Sequence, residues 1–133
     1  MDSYPILEDW LARPSGGMPI LRLSVLIRNA IGSRFSVAML PAWLVMKNRE
    51  SHPEIEFDDY LKLCTISDKP DAIAQINTNS VVIAKSDGAS YLVTIEANVG
   101  EEQETVITGF QKAALLTKLK IRLTGKLIYG SWE

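Results

Sequence analysis

The segment that follows Lys47 carries the side chains in this chain best suited to proton transfer. His52 is the only histidine, and it opens the sequence His52-Pro53-Glu54-Ile55. A histidine of ordinary pKa, near 6.5, can both take up and release a proton at neutral pH. Lys47, five residues before His52, is a plausible cation for contact with a phosphate. The types of residue in this segment therefore point to His52 as a general acid or base.

The same segment also has an interpretation in which it only starts a helix. Ser51 and Glu54 match a capping box, and Pro53 suits a first helical turn. His52 is then an exposed residue beside a cap. In a competing interpretation the helix opens near Phe57, which leaves His52 on a loop with its ring free. Either way, the apolar spacing predicts a helix with one buried face formed by Phe57, Tyr60, Leu61 and Cys64.

Mostly helical elements are predicted before this segment. Tyr4 to Leu11 has the spacing of a short amphipathic helix, which the turn residues after it would end. Pro19 to Ile31 suits a buried helix, although the alternation of its apolar residues leaves a strand pair open. Arg34 to Leu40 then predicts a strand, and Ala42 to Arg49 a helix begun by Pro41.

Period-two patterns dominate the second half and predict an antiparallel meander. Ala72 to Asn79 is weakly patterned and is expected to be a loop with at most one irregular strand. Lys112 to Leu119 is expected to be helical, and Ile121 to Tyr129 a final strand. The three meander strands are Val81 to Lys85, Tyr91 to Ala97 and Gln103 to Phe110.

Two side chains in this meander are candidates for a polar site. If Ala97 faces Gln103, then Glu96 and Thr108 share one face of the hairpin, together with Phe110. That face mixes acids and hydroxyls with apolar residues. A shift of one residue in the strand register would no longer place Glu96 and Thr108 on the same face.

Length and composition limit the class of protein. The chain has 133 residues, 47% hydrophobic and 23% charged, which suits one folded domain. With one cysteine and one histidine it offers neither an internal disulfide nor a zinc-ligand cluster. No apolar run approaches the roughly 20 residues of a membrane-spanning helix, and the acidic start is unlike a signal peptide. We expect a protein of the cytoplasm, or one carried inside a particle, without a membrane partner.

Charge is unevenly distributed along the chain. The formal net charge of −2 argues against strong, indiscriminate binding of nucleic acid. The segment after Thr105 nevertheless carries cations and no acid up to Trp132, among them Lys112 and Arg122. These side chains are expected either to protect a strand edge and a solvated helix face or to contact phosphates.

The motif around His52 also resembles a known family. A Val-rich segment (Val37 to Leu40), a short helix and His52-Pro53-Glu54-Ile55 with Asp59-Tyr60 are similar to the phage-encoded relatives of the barnase, EndoU, colicin and RelE ribonucleases. Such domains are often attached to or near head-morphogenesis proteins. The resemblance covers roughly residues 36 to 112. It implies a hydroxyl at or near Thr108, and this chain has Glu96 where the family would place a lysine or arginine.

The resemblance implies a metal-independent endoribonuclease that needs no cofactor. In such enzymes the 2′-hydroxyl attacks the adjacent phosphate, which requires a base, an acid and donors around the phosphate. The predicted partners are RNA and, by the same resemblance, a phage structural protein or an immunity protein. The predicted catalytic residues are His52, Glu96 and Thr108, and the predicted phosphate contacts are Lys47, Lys112 and Arg122.

The fold class that follows is α+β and barnase/RelE-like, with N-terminal helices packed on an antiparallel sheet of about four strands. Residues 1–133 are expected to form a single domain, with 1–35 a helical N-terminal extension and 36–133 the nuclease-like core. The alternative function is a catalytically inactive head-associated or partner-binding module. Geometry separates the two, because a nuclease must bring His52, a carboxylate and a cation together.

Overall fold

The computed structural model describes residues 4–115 and 125–131. Four helices and seven strands alternate unevenly along this part of the chain. In order they are α1 Tyr4–Ala12, β1 Gly17–Arg22, α2 Val25–Ile31, β2 Val37–Pro41, α3 Ala42–Ser51, α4 Phe57–Leu63, β3 Ala72–Asn77, β4 Ser80–Asp87, β5 Ala89–Val99, β6 Glu104–Ala113 and β7 Lys126–Gly130.

All seven strands join one sheet in the order β1-β2-β6-β5-β4-β3-β7. Neighbouring strands are antiparallel except β2 and β6, which pair in parallel through Met39 and Val106. The prediction of an α+β fold with an antiparallel sheet of about four strands is therefore wrong, and the fold is mixed α/β. The meander was found from its alternation, but the strands that extend the sheet on both sides of it were not.

The N-terminal part contributes to this sheet. The start of the segment Pro19 to Ile31, for which the sequence favoured a helix but left a strand pair open, belongs to β1, so residues 1–35 are not a purely helical extension. An interior proline is tolerated in β1 because this strand lies at an edge of the sheet. The helix begins later because the side chain of Ser24 accepts a hydrogen bond from the Ile27 N–H, and it ends at Gly32, whose φ is 66°.

Helix α4 begins at Phe57, as in the second of the two sequence interpretations. Its capping box joins Glu56 and Asp59, each of which accepts a hydrogen bond from the backbone N–H of the other. The predicted cap formed by Ser51 and Glu54 is wrong, because Ser51 is the last residue of α3. His52 therefore lies between two helices, at the start of a short loop that runs from His52 to Glu56.

A β-bulge changes the predicted register of β5 and β6. Thr94 pairs with Gly109 whereas Ile95 pairs with Ile107, so Thr108 is the extra residue. The extra residue shifts Phe110 opposite Val93 and moves its ring to the core side of the sheet. The predicted face that grouped Phe110 with Thr108 and Glu96 is therefore wrong.

One large core cluster joins this face of the sheet to all four helices. Aromatic rings lie at its centre, where Phe110 is 5.5 Å from Tyr60 and 5.8 Å from Tyr91 between ring centroids. The buried helix residues of the cluster are Leu7, Leu11, Ile27, Ile31, Leu44, Val45, Tyr60 and Leu63. Tyr91 and Phe110 thereby bring the β5–β6 pair against α4.

The two ends of the meander also differ from expectation. Ala72–Asn77 is a strand rather than a loop, paired on both sides with a register irregularity in each pairing, so the irregular strand that the sequence left open here is present. Lys112 belongs to β6 and not to a helix, and residues 116–119 of that predicted helix lie outside the described part. The predicted final strand is confirmed for Lys126 to Tyr129, whereas residues 121–124 lie outside it. Within the described residues no helix is long and apolar enough to cross a membrane.

Candidate functional site

A buried carboxylate, Asp59, connects helix α4 to the β5–β6 pair. Its side chain is only 5% exposed. Oδ1 accepts a hydrogen bond of 2.5 Å from the Tyr91 hydroxyl. Oδ2 accepts one of 2.9 Å from Lys112 Nζ and one of 2.7 Å from the Glu56 backbone N–H. The carboxylate is thus held by groups from α4, β5 and β6.

These contacts set the ionisation of Asp59 and Tyr91. Burial alone would raise the pKa of Asp59, but the hydrogen bonds from Glu56, Tyr91 and Lys112, with the charge of Lys112, hold that pKa below its ordinary value. Burial raises the pKa of Tyr91 well above its ordinary value. The hydrogen bond to Asp59 and the negative charge of Asp59 raise this pKa further. Asp59 is therefore a carboxylate at neutral pH, and Tyr91 is a neutral donor.

Lys112 links this cluster to the His52–Glu56 loop. Its Nζ donates a 3.2 Å hydrogen bond to the backbone carbonyl of Glu54 as well as the bond to Asp59. The Glu54 carboxylate is in turn 3.2 Å from His52 Nδ1. The side chains of His52 and Glu54 are 43% and 49% exposed, and that of Lys112 is 25% exposed. A histidine, a carboxylate and a cation therefore converge at one solvent-accessible loop.

A second lysine approaches the same cluster from α4. Lys62 Nζ donates to the Asp87 carbonyl at 2.6 Å and to the Tyr91 hydroxyl at 3.3 Å. It also lies 5.2 Å from the centre of the Tyr91 ring, within the range of a cation–π contact. Lys62 and Lys112 therefore lie on either side of the Asp59–Tyr91 hydrogen bond.

Two of the predicted catalytic residues lie elsewhere. Glu96 is opposite Val106, on the face of the sheet away from Tyr91, and the five residue steps from Tyr91 to Glu96 span about 17 Å of extended strand. Thr108 occupies the β6 bulge, four residues or roughly 13 Å from Lys112. The structure therefore does not bring Glu96 or Thr108 to His52.

The predicted phosphate contacts divide in a similar way. Lys112 joins the His52 loop, as just described. Lys47 is an exposed residue of α3. Arg122 lies outside the described residues, so its position is not assigned.

The sequence interpretation included Asp59 in the motif around His52 but assigned no chemical role to it, nor to Tyr91 or Lys62. The spacing of Glu56 and Asp59 offered one signal, because it matches a capping box and would have marked Asp59 as a helix-start residue. Nothing local in the sequence shows that Tyr91 and Lys112 meet Asp59. That contact follows from the β5–β6 register, in which Tyr91 is opposite Lys112.

The surroundings of the cluster are acidic. The exposed carboxylates nearest to it along the chain are Glu54, Glu56 and Asp58, and Asp87 adds a fourth beside Lys62. A strongly anionic ligand would meet only two or three cationic groups here. In the described ranges no group of three or more histidine, cysteine, aspartate or glutamate side chains is placed to hold a metal ion.

A cleft of about 240 Å³ lies beside the His52–Glu56 loop, between α1, α3 and the start of α4. Its walls include the apolar or aromatic residues Leu11, Val45, Phe57 and Tyr60. The charged residues Glu8, Arg49 and Glu56 also line it. The arrangement combines an acid–base group, a fixed cation and an adjoining apolar cleft.

Comparison with known proteins adds no family to this geometry. No family model matches the chain, and neither a curated protein nor a solved structure is significantly similar to it. The resemblance to phage-encoded ribonucleases and the link to phage proteins therefore stay predictions.

Proposed function

We propose that this protein is a metal-independent endoribonuclease whose reaction takes place between His52 and Lys112. The observation that carries the proposal is their shared attachment to Glu54. Lys112 donates to the Glu54 carbonyl, and the Glu54 carboxylate lies at hydrogen-bond distance from His52 Nδ1. The two groups come from distant parts of the sequence, and both reach solvent.

His52 acts as the general base in this proposal. An ionised Glu54 carboxylate can only accept, so the bond between them places the proton on Nδ1 and leaves Nε2 able to accept another. Nε2 takes the proton of a ribose 2′-hydroxyl. The oxygen then forms a bond to the neighbouring phosphorus, the bond to the 5′-oxygen breaks, and that oxygen takes a proton from solvent.

Lys112 stabilises the negative charge that develops on the phosphate. An ammonium group has three donors, and two of those of Lys112 have partners among the described residues, Asp59 and Glu54. A third donor remains for a phosphate oxygen. Asp59 and Tyr91 are positioning residues, because they hold the ammonium group in place and do not themselves touch the substrate.

The acidic surroundings limit how the substrate is held. Few phosphates can be neutralised, so the substrate is a short single-stranded stretch of RNA held by a small number of contacts. Specificity must then come from groups other than phosphate. This agrees with the formal net charge of −2.

Cleavage of a fluorescent single-stranded RNA in the presence of EDTA tests the proposal. The wild-type protein is expected to cleave, and His52→Ala is expected to lose at least about a hundredfold in kcat/KM, since general-base catalysis contributes about 10²–10⁴. Glu96→Gln, on the other face of the sheet, serves as the matched control and should retain activity. Circular dichroism checks that both variants fold. Equal loss in Glu96→Gln, or no loss in His52→Ala, would contradict the assignment.

A second candidate is a non-catalytic partner-binding module, favoured by one exposed surface. Trp43 and Met46 are 52% and 51% exposed and lie three residues apart on one side of α3. Large apolar side chains exposed together often mark interaction surfaces. Sedimentation of wild type and Trp43→Ser tests self-association through this surface. A concentration-dependent dimer that is lost in the variant, together with no RNA cleavage, would favour this candidate.

A further inference from the structure

The two edges of the sheet differ in how well they could accept another strand. Strand β1 forms one edge, where Pro19 offers no N–H within the strand and the pairing with β2 shifts register after it. Strand β7 forms the other edge and contains no proline. Within the described part of the chain β7 pairs only with β3, so its outer row of N–H and C=O groups faces no strand there.

Both ends of β7 are fixed by glycines. Gly125 and Gly130 have φ values of 98° and 74°, and a Cβ on them would overlap the backbone carbonyls of Gln75 and Asp71 respectively. Only glycine allows two backbones to approach so closely in this conformation. Ile128, between the two glycines, packs against the main core cluster. The strand is therefore ordered before a partner binds, which lowers the entropy cost of pairing.

Two large apolar side chains are exposed on this short strand. Leu127 is 41% exposed and Tyr129 is 47% exposed, only two residues apart. Exposed apolar groups beside unpaired backbone groups are typical of a strand that binds an extended segment, whose side chains then pack on them. A nucleic acid has no alternating row of N–H and C=O groups to pair with those of β7. A peptide therefore suits this edge better than RNA does.

The charge around β7 indicates which kind of segment fits. Lys126 is exposed, and the Cα of Arg122 is within about 14 Å of it because only four residue steps join them. No acid occurs in the sequence from Val106 to Trp132. The carboxylate of Asp71 accepts a hydrogen bond from the Ser86 N–H of β4, on the side of β3 away from β7. Acidic side chains would therefore meet cations at this edge, whereas a second copy of the chain would bring like charges together.

We propose that the outer edge of β7 binds an extended, acidic segment of a partner protein as a further strand of the sheet. Main-chain hydrogen bonds hold this segment, Leu127 and Tyr129 contact its apolar side chains, and Lys126 contacts its carboxylates. The five residues of β7 span about 17 Å, so about five residues of the segment pair with them. The inference does not depend on the proposed cleavage of RNA.

Binding of a synthetic peptide to the full chain tests the proposal. The probe is a fluorescein-labelled peptide of about seven residues that alternates valine with glutamate, long enough to pair with all of β7. It should bind at least about tenfold more tightly than the same peptide with lysine in place of glutamate, and salt should reduce this difference. The acidic peptide with every backbone nitrogen methylated keeps its side chains but loses its N–H donors, so it should not bind.

A substitution in β7 locates the binding on the chain. Leu127→Glu should weaken binding of the acidic peptide at least about tenfold, because it replaces an apolar contact with a like charge. Ile6→Glu is the matched control, since Ile6 is an exposed apolar residue of α1 and undergoes the same change of charge. It should bind the peptide as the wild type does. Thermal unfolding of both variants confirms that a loss of binding is not a loss of folding.

Several results would overturn the proposal. The acidic peptide fails to bind, its methylated form binds equally well, or Leu127→Glu binds it as the wild type does. A concentration-dependent dimer of the wild type that Leu127→Glu abolishes would instead assign the edge to a second copy of the chain. RNA binding that Leu127→Glu weakens, without any binding of the acidic peptide, would assign the edge to nucleic acid.

Discussion

Asp59 is the residue on which the arrangement of the site depends most. It is a carboxylate buried between α4 and the sheet, and three donors converge on it. Because removing one member of a buried ion pair leaves the other charge unpaired, Asp59→Ala should lower the free energy of unfolding by about 3 kcal/mol. Urea denaturation measures the change.

Asp58→Ala is the control for this prediction. Asp58 is also an acid in the first turn of α4, but it is exposed. Its removal should therefore cost no more than about 0.5–1 kcal/mol. Similar losses in the two variants would show that Asp59 stabilises only as a helix-start acid.

Tyr91 makes the stability of the folded protein depend on pH in the alkaline range. Its pKa is raised in the folded protein, so the unfolded chain releases the proton first as the pH passes about 10, the ordinary tyrosine value. The stability that comes from Tyr91 is complete below that pH and is lost as the pH rises above it. Tyr91→Phe should therefore lose stability less steeply than wild type above pH 10, as followed by denaturation at several pH values. Parallel curves would contradict the assignment.

At the residue scale, the sequence identified part of the site. His52 stood out as the single histidine, and Lys112 as one cation of a basic segment. Asp59 was part of the motif and Tyr91 began a predicted strand, but the buried cluster that they form could not be recognised, because it depends on which strands are neighbours. Glu96 and Thr108 were misplaced by a register that did not include the bulge.

Among the elements, α4 is the one that places Asp59 and fixes the end of the His52 loop. Its N-terminal capping box uses Glu56 rather than the predicted Ser51. Glu56→Ala should cost about 1 kcal/mol of unfolding free energy because it removes a cap, whereas Ser51→Ala should change little. Guanidinium denaturation compares the two variants. A larger loss in Ser51→Ala would show that the helix begins before Phe57.

Helices and strands were predicted correctly where their periodic pattern of apolar residues is long. The prediction failed where pairing with a distant strand decides the structure of a segment. The meander and three of the helices have clear patterns in the sequence. Residues 17–22 and 72–77 do not, since β1 contains Pro19 and β3 lacks clean alternation. Both segments become strands because they pair with an existing sheet, and a short stretch of sequence does not contain the residues of that sheet.

For the whole molecule, weak electrostatic attraction would be the main constraint on the proposed binding of RNA. With a net charge of −2 and acids around the site, only one or two phosphates can be neutralised. The logarithm of kcat/KM should then fall with the logarithm of salt concentration at a slope between about −0.7 and −1.4, because each phosphate contact on a single strand contributes about −0.7. Cleavage rates over a series of salt concentrations give the slope. A much steeper slope would mean that a basic surface beyond the His52 site binds the RNA.

The fold at this scale was only partly predictable. A mixture of helices and an antiparallel meander was expected, whereas the parallel pairing of β2 with β6 and the addition of β7 beyond β3 were not. These are contacts between segments far apart in sequence, and no periodicity encodes them.

The proposed activation of a ribose 2′-hydroxyl by His52 is tested by identifying the products of cleavage. Wild type and folded His52→Ala are incubated in EDTA with a single-stranded RNA and with DNA of the same sequence, and the products are identified by mass spectrometry. Only the wild type should cut the RNA, leaving 2′,3′-cyclic phosphate ends, and it should not cut the DNA. Intact RNA, or DNA cut as readily as RNA, would contradict it.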